Sequence, residues 1–169
     1  MQLAELMSAR STCKRLSVGA VITSMDFRKV LAVGYNGNAS GLANTCDRDE
    51  PGNCQDLHAE ANAVINCDTP RYVDKIVFVT HVPCIMCAKM LINLGNVRKV
   101  YYRHDYRIMD SIALLRSVGI EVQQLGMTGD DCDKLFLDID YAQLHGTQTG
   151  HVHFSKSIKA VEPLISMTP

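Results

Sequence analysis

A chain of 169 residues, 47% hydrophobic and 21% charged, is long enough to bury a core and too apolar to be a disordered segment. Its formal net charge of -1 lacks the basic surplus of a polyanion binder, so no nucleic-acid partner is expected. No apolar run reaches the roughly 18 to 20 residues of a membrane span, and Met1–Ser17 carries Glu5, Arg10, Lys14 and Arg15 instead of a signal-peptide core, so a cytoplasmic protein without a membrane partner is expected. In that reducing setting the seven cysteines (13, 46, 54, 67, 84, 87 and 132) read as free, catalytic or metal-bound, and their odd number fits no complete disulfide framework.

In chain order, Val18–Thr23 and Val30–Tyr35 are short β-branched runs split by a polar stretch with Asp26, Arg28 and Lys29, which predicts an antiparallel hairpin. Asn36–Cys54 is rich in Gly, Asn, Asp and Pro and has no hydrophobic period, so it reads as a long loop of the functional kind. A helix is predicted from about His58, a buried strand over Ile76–Thr80, and a helix over Cys84–Leu94 with Pro83 before it and Gly95 as its stop. Lys99–Tyr102 reads as a strand, Met109–Val118 as a helix ended by Gly119, and Ile120–Leu125 as a last strand. This order predicts a three-layer α/β/α domain over residues 1–125, on a mixed five-stranded sheet with at least three parallel strands. Residues 126–169 show no clear period and read as a peripheral tail.

Chemistry concentrates in two stretches, "HAEAN" (58–62) and "PCIMC" (83–87). Cys84 and Cys87 are three apart, so on a helix both thiols share a face and suit one soft metal ion. Zinc takes Cys and His ligands tetrahedrally, and with His58 as third ligand the fourth corner is left for water. Glu60, about 200° round a regular helix from His58, reads as a base beside that water instead of a fourth ligand. Alone, a C-x-x-C is often structural zinc or a redox pair, and a lone H-x-E is usually a surface helix. The pairing of the two, with a strand between them, points to an open zinc site with a proton shuttle.

These motifs resemble the zinc-dependent cytidine deaminase superfamily, whose signature is H-x-E followed by P-C-x-x-C. Within it the sequence is most similar to deoxycytidylate (dCMP) deaminases, including those of phages, through "VGAVI" (18–22), "GYNG" (34–37), "HAEANAV" (58–64), "PCIMCAKMLI" (83–92) and "VYYRHDY" (100–106). The resemblance implies zinc on His58, Cys84 and Cys87, Glu60 as catalytic proton carrier, and hydrolysis of dCMP to dUMP and ammonia for thymidylate synthesis. It also implies a homo-oligomer, commonly a hexamer, activated by dCTP with Mg²⁺ and inhibited by dTTP. The location would be the cytoplasm, that of the host if the source is a virus. The alternatives are a deaminase of another base, such as cytidine or a transfer-RNA adenosine, and a non-catalytic binding module stapled by zinc.

Other positions carry two readings each. Asn36 either binds sugar or base or simply forms a turn. Tyr106 reads as a wall for the pyrimidine and Arg107 as a phosphate contact, or both as solvated loop, with Lys14 and Arg15 as further phosphate candidates. In the resemblance Asn36, Gly37 and Asn38 belong to an effector site; otherwise they are a Gly-rich hairpin exit. A second, structural zinc on Cys13, Cys46, Cys54 and Asp56 is implied by some phage relatives, although Thr45 stands where some of those have Cys; the alternative is simple buried thiols.

Overall fold

The computed structural model describes residues 1–43, 45–46, 55–106 and 109–126. Cys54, Arg107 and the expected tail beyond 126 lie outside the described residues, as does the whole of 47–54. The elements are α1 (Gln2–Ser8), β1 (Gly19–Ser24), β2 (Val30–Tyr35), α2 (Ala59–Ile65), β3 (Lys75–His81), α3 (Ile85–Leu94), β4 (Val97–His104), α4 (Asp110–Ser117) and β5 (Glu121–Gln124). They form one sheet of order β2-β1-β3-β4-β5. β1 runs antiparallel to β2 and to β3, whereas β3, β4 and β5 are mutually parallel, the mixed sheet that the element order implied.

Side chains alternate across the sheet, so the two faces collect separate cores. Ile22, Val77, Val79 and Val100 pack with Ala59 and Ala63 of α2, Ala88 and Leu91 of α3 and Leu115 of α4. On the other face Val21, Ile76, Phe78 and Tyr101 pack with Ala4 of α1, and the Phe78 and Tyr101 rings stack with centroids 5.0 Å apart. Glu5 of α1 pairs with Arg103 of β4, tying the helix to the sheet. The sequence reading missed α1: seven residues make two turns, too few to show a period.

Two glycines are dictated by this packing. A Cβ on Gly19 would lie 1.9 Å from the Ala4 carbonyl oxygen, and one on Gly34 2.2 Å from that of Ala59. Thus Gly34, the first residue of "GYNG", lets α2 sit directly on β2. Gly119, at φ 82, supplies the left-handed turn that stops α4 before β5. Lys75, fully buried at the start of β3, donates to the carbonyls of Pro70 (2.9 Å), Val73 (2.7 Å) and Gly95 (3.3 Å), so its charge is answered by three dipoles. No helix among the described residues is long and apolar enough to cross a membrane.

Candidate metal centre and active-site cleft

His58 and Cys84 are the N-cap residues of α2 and α3, both with extended backbone. His58 therefore does not follow helical geometry toward Glu60, and the angular separation expected on a regular helix does not apply. Instead the chain turns at Ala59, and His58 and Glu60 line the same cleft. At α3, Pro83 precedes the cap, and the Cys84 sulfur accepts from the Cys87 backbone N–H at 3.5 Å. That places Cys87 one turn on, facing the same point.

The His58 Nδ1 lies 3.5 Å from the Cys84 Sγ and 3.4 Å from the Cys87 Sγ. Ligand atoms of these three residues all fall within 4.8 Å of one another, the only such group of three among the described residues. Two sulfurs and one imidazole nitrogen so close are the donor set that zinc takes, so the trio fits that ion. Hydrogen bonds from Cys87 and His58 bring the Cys84 thiol down to about 3, which makes it a thiolate. Its hydrogen bond to Cys84, and then burial, push the Cys87 thiol far up. The hydrogen bond to Cys84 raises His58. Without metal the trio thus holds protons that a cation would displace.

Glu60 is 4% exposed, and burial raises its carboxyl to about 7. Its own backbone N–H and His58 pull the other way without cancelling that effect. A carboxyl that titrates near neutrality beside a metal site can both take and give protons.

A cleft partly open to solvent adjoins this trio. Its wall includes several residues singled out from sequence: Cys13, Arg15, Asn36, Asp56 and Tyr106. Arg15 donates to the Tyr106 hydroxyl at 2.8 Å, which joins two expected substrate contacts across 91 positions. Asn36 is clamped by backbone and lines the cleft. Its Oδ1 accepts from Val18 N–H at 2.7 Å, its Nδ2 donates to the Leu16 carbonyl at 2.8 Å, and the fixed amide stands in the cleft wall.

Lys14 is exposed and lies outside that wall. Gly37 forms a two-way backbone bridge with Leu57, at 3.1 and 2.9 Å, whereas Asn38 is spent on its own loop through Ala39 and Ala43. Cys13 is buried, Cys46 half-buried, and with Asp56 they form no metal-sized group among the described residues. The sequence reading overlooked His81. It lines the cleft three residues before Cys84, with its ring 4.9 Å from that of His104, and burial followed by His104 holds its pKa down. The end of a buried strand immediately before "PC" was the available signal.

The family described as the cytidine and deoxycytidylate deaminase zinc-binding region matches residues 1–104. The chain is 33% identical over 147 residues to ComE operon protein 2 of Bacillus subtilis (strain 168), a match covering 82% of this chain and 73% of that one. It is 34% identical over 114 residues to the deoxycytidylate deaminase of Mycobacterium phage D29, covering 59% and 88%. Among solved structures, the dCMP deaminase of cyanophage S-TIM5 in complex with dCMP and dUMP superposes with a TM-score of 0.67 at 39% identity, covering 73% of this chain and 92% of that one.

Proposed function

The chain belongs to the cytidine and deoxycytidylate deaminase zinc-binding family, and from that premise we propose that it hydrolyses dCMP to dUMP and ammonia at the His58, Cys84 and Cys87 site. The observation that carries this reading is the meeting of three metal-ligand side chains with the buried carboxyl of Glu60, raised to about 7, at one cleft. Likeness to the phage and cyanophage dCMP deaminases selects the substrate. The trio offers three protein ligands among the described residues, with Glu60 in the same cleft, whereas a structural zinc staple normally has four, and this favours the enzymatic reading.

Zinc, when bound to His58, Cys84 and Cys87, supplies Lewis-acid chemistry that brings the pKa of a water toward neutrality. Glu60 takes one proton from the attacking water and gives it to N3 of the pyrimidine, while the oxygen bonds to C4. It then carries the second water proton to the 4-amino group. The C4–N bond breaks, ammonia leaves with that proton, and N3 keeps the first, so C4 becomes the carbonyl of dUMP. Burial of Glu60 keeps bulk water out of this exchange. Asn36, held from two sides by the 16–18 backbone, is a rigid wall for base and sugar. Arg15, steadied by Tyr106, meets the phosphate.

The same reading extends to control. A homo-oligomer, a hexamer by resemblance, responds to dCTP with Mg²⁺ as activator and to dTTP as inhibitor. The bridge between Gly37 and Leu57 supports an effector role for the Asn36–Asn38 segment, since it joins that segment to the residue before His58. A second zinc on Cys13, Cys46, Cys54 and Asp56 draws support from the place of Cys13 and Asp56 in the cleft wall, and metal content per chain tests it.

The test is the ultraviolet absorbance of zinc-loaded protein incubated with dCMP, deoxycytidine or cytidine. Conversion of dCMP well ahead of both nucleosides is expected. Turnover of a nucleoside alone, or of no cytosine compound, refutes the assignment.

A further inference from the structure

His81 and His104 are the last residues of β3 and β4 and partners across that parallel pair, so their side chains leave the sheet on one face, side by side. Just beyond them the Val82 N–H donates to the His104 carbonyl at 2.9 Å, which holds the two strand ends together. The rings stand with centroids 4.9 Å apart and planes tilted by 39°. His81 is half-buried in the cleft wall, and His104 beside it is exposed to solvent.

Zinc binds imidazole nitrogen at about 2.0 to 2.1 Å, and that nitrogen lies about 1.2 Å from its ring centroid, so two imidazoles on one tetrahedral ion have centroids roughly 5 Å apart. The observed separation is of that size. A ligating imidazole also donates its second N–H to an outer partner, and His81 Nδ1 has one in the Thr80 hydroxyl, 3.1 Å away. That hydroxyl is buried and anchored, since it accepts from the Gly19 N–H at 3.2 Å, and its second lone pair is left for His81. With Nδ1 spent there, Nε2 is the nitrogen left for a metal. Burial, and then His104, holds His81 below the usual imidazole value, so near neutral pH it is in the unprotonated form that ligates.

We propose that His81 and His104 form a second transition-metal site, with two protein ligands and its other corners open to water, which fills only when zinc exceeds what the His58, Cys84 and Cys87 trio takes. Two imidazoles hold zinc less tightly than an imidazole with two cysteine sulfurs, which sets the order of filling. Because His81 shares the cleft wall with His58, Glu60 and Cys84, an ion there with its waters takes up cleft space, and excess metal inhibits. The inhibition rests on the dCMP reading above; the binding does not.

The probe is zinc alone, titrated by calorimetry near neutral pH into full-length protein already loaded with zinc and freed of excess by gel filtration, so that tight sites are filled in advance. Wild type is expected to bind one further zinc per chain that His104→Gln and His81→Gln bind at least about tenfold more weakly, because each variant loses one of two chelating ligands. Sites elsewhere in the chain titrate alike in all three proteins. Zinc retained by the trio checks the fold of each variant, and if His81→Gln loses it, His104→Gln alone decides. In the dCMP assay, excess zinc is expected to inhibit wild type at a concentration at least about tenfold below that needed for His104→Gln. The exposed His104 lies outside the cleft wall, so activity of that variant without excess zinc stays that of wild type. Equal uptake at equal affinity in wild type and His104→Gln overturns the site. Extra zinc that His104→Gln loses, with no inhibition of wild type, overturns the inhibition alone. A wild type inert toward all cytosine compounds refutes the dCMP reading, and the calorimetry still decides the site.

Discussion

Glu60, the proposed proton carrier, is set apart by its burial. In the metal-free protein its carboxyl titrates near 7, against an ordinary value of 4.5 in the unfolded chain. Between those values the folded chain binds more protons than the unfolded one, so stability falls as pH rises through that window. Above it the ionised carboxylate costs about 3 kcal/mol. Metal-stripped Glu60→Gln is therefore expected to melt above wild type at pH 8, with the gain shrinking toward pH 5, as calorimetry at the two pH values will show. A variant that is less stable than wild type at pH 8 contradicts the burial argument. Zinc-loaded, the same variant keeps its metal and loses about a thousandfold or more in kcat, because the amide cannot carry protons. Candidate residues of this kind were legible from the sequence, since thiolate, imidazole and carboxylate at those spacings have few other uses together, and the structure brings His58, Cys84 and Cys87 into one group. The clamped amide of Asn36 was not, because its partners lie 18 and 20 positions away.

Among the elements, α2 carries Glu60 and is capped by His58, and its seat on β2 depends on Gly34. Asn62 of α2 and its C-cap Asn66 add hydrogen bonds to the Tyr35 and Val33 carbonyls, at 2.8 and 3.4 Å. A methyl group at Gly34 meets helix backbone, which cannot rotate away as a side chain can. Gly34→Ala is expected to lower stability by about 1 to 3 kcal/mol or more and to weaken zinc retention, read by denaturant unfolding and metal analysis. Wild-type stability in that variant would show that α2 is not seated as described. Strands were legible because β-branched runs are bounded by turn residues, and α3 because Pro83 and Gly95 bracket it. Helix α1 was hidden by its length, and the extended backbone at His58 by the assumption that a helical motif begins inside its helix.

For the whole molecule, topology puts the site where it must be. Parallel β3 and β4 end at His81 and His104, and the chain leaving β3 enters α3 at Cys84, so strand ends and a helix N-terminus converge on one cleft, as ligands of parallel sheets generally require. The hairpin exit at Gly37, tied to Leu57, connects this cleft to the segment proposed for effectors. Sigmoidal dependence of rate on dCMP is therefore expected, made hyperbolic by dCTP with Mg²⁺ and steepened by dTTP. Hyperbolic kinetics unaffected by either triphosphate would remove the regulatory proposal and leave the catalytic one intact. Sequence alone conveyed the mixed sheet and the candidate metal trio, which depend on local pattern, but neither the strand order nor the cleft wall, which is assembled from segments far apart in the chain.

The most direct test of zinc-dependent dCMP hydrolysis in this cleft is dUMP formation by chelator-stripped protein as zinc is restored, with Glu60→Gln run alongside. Wild-type activity that is absent without zinc and returns with it, while Glu60→Gln binds zinc and stays inactive, is the predicted result. Full activity in stripped protein, or restored activity in Glu60→Gln, would contradict the account.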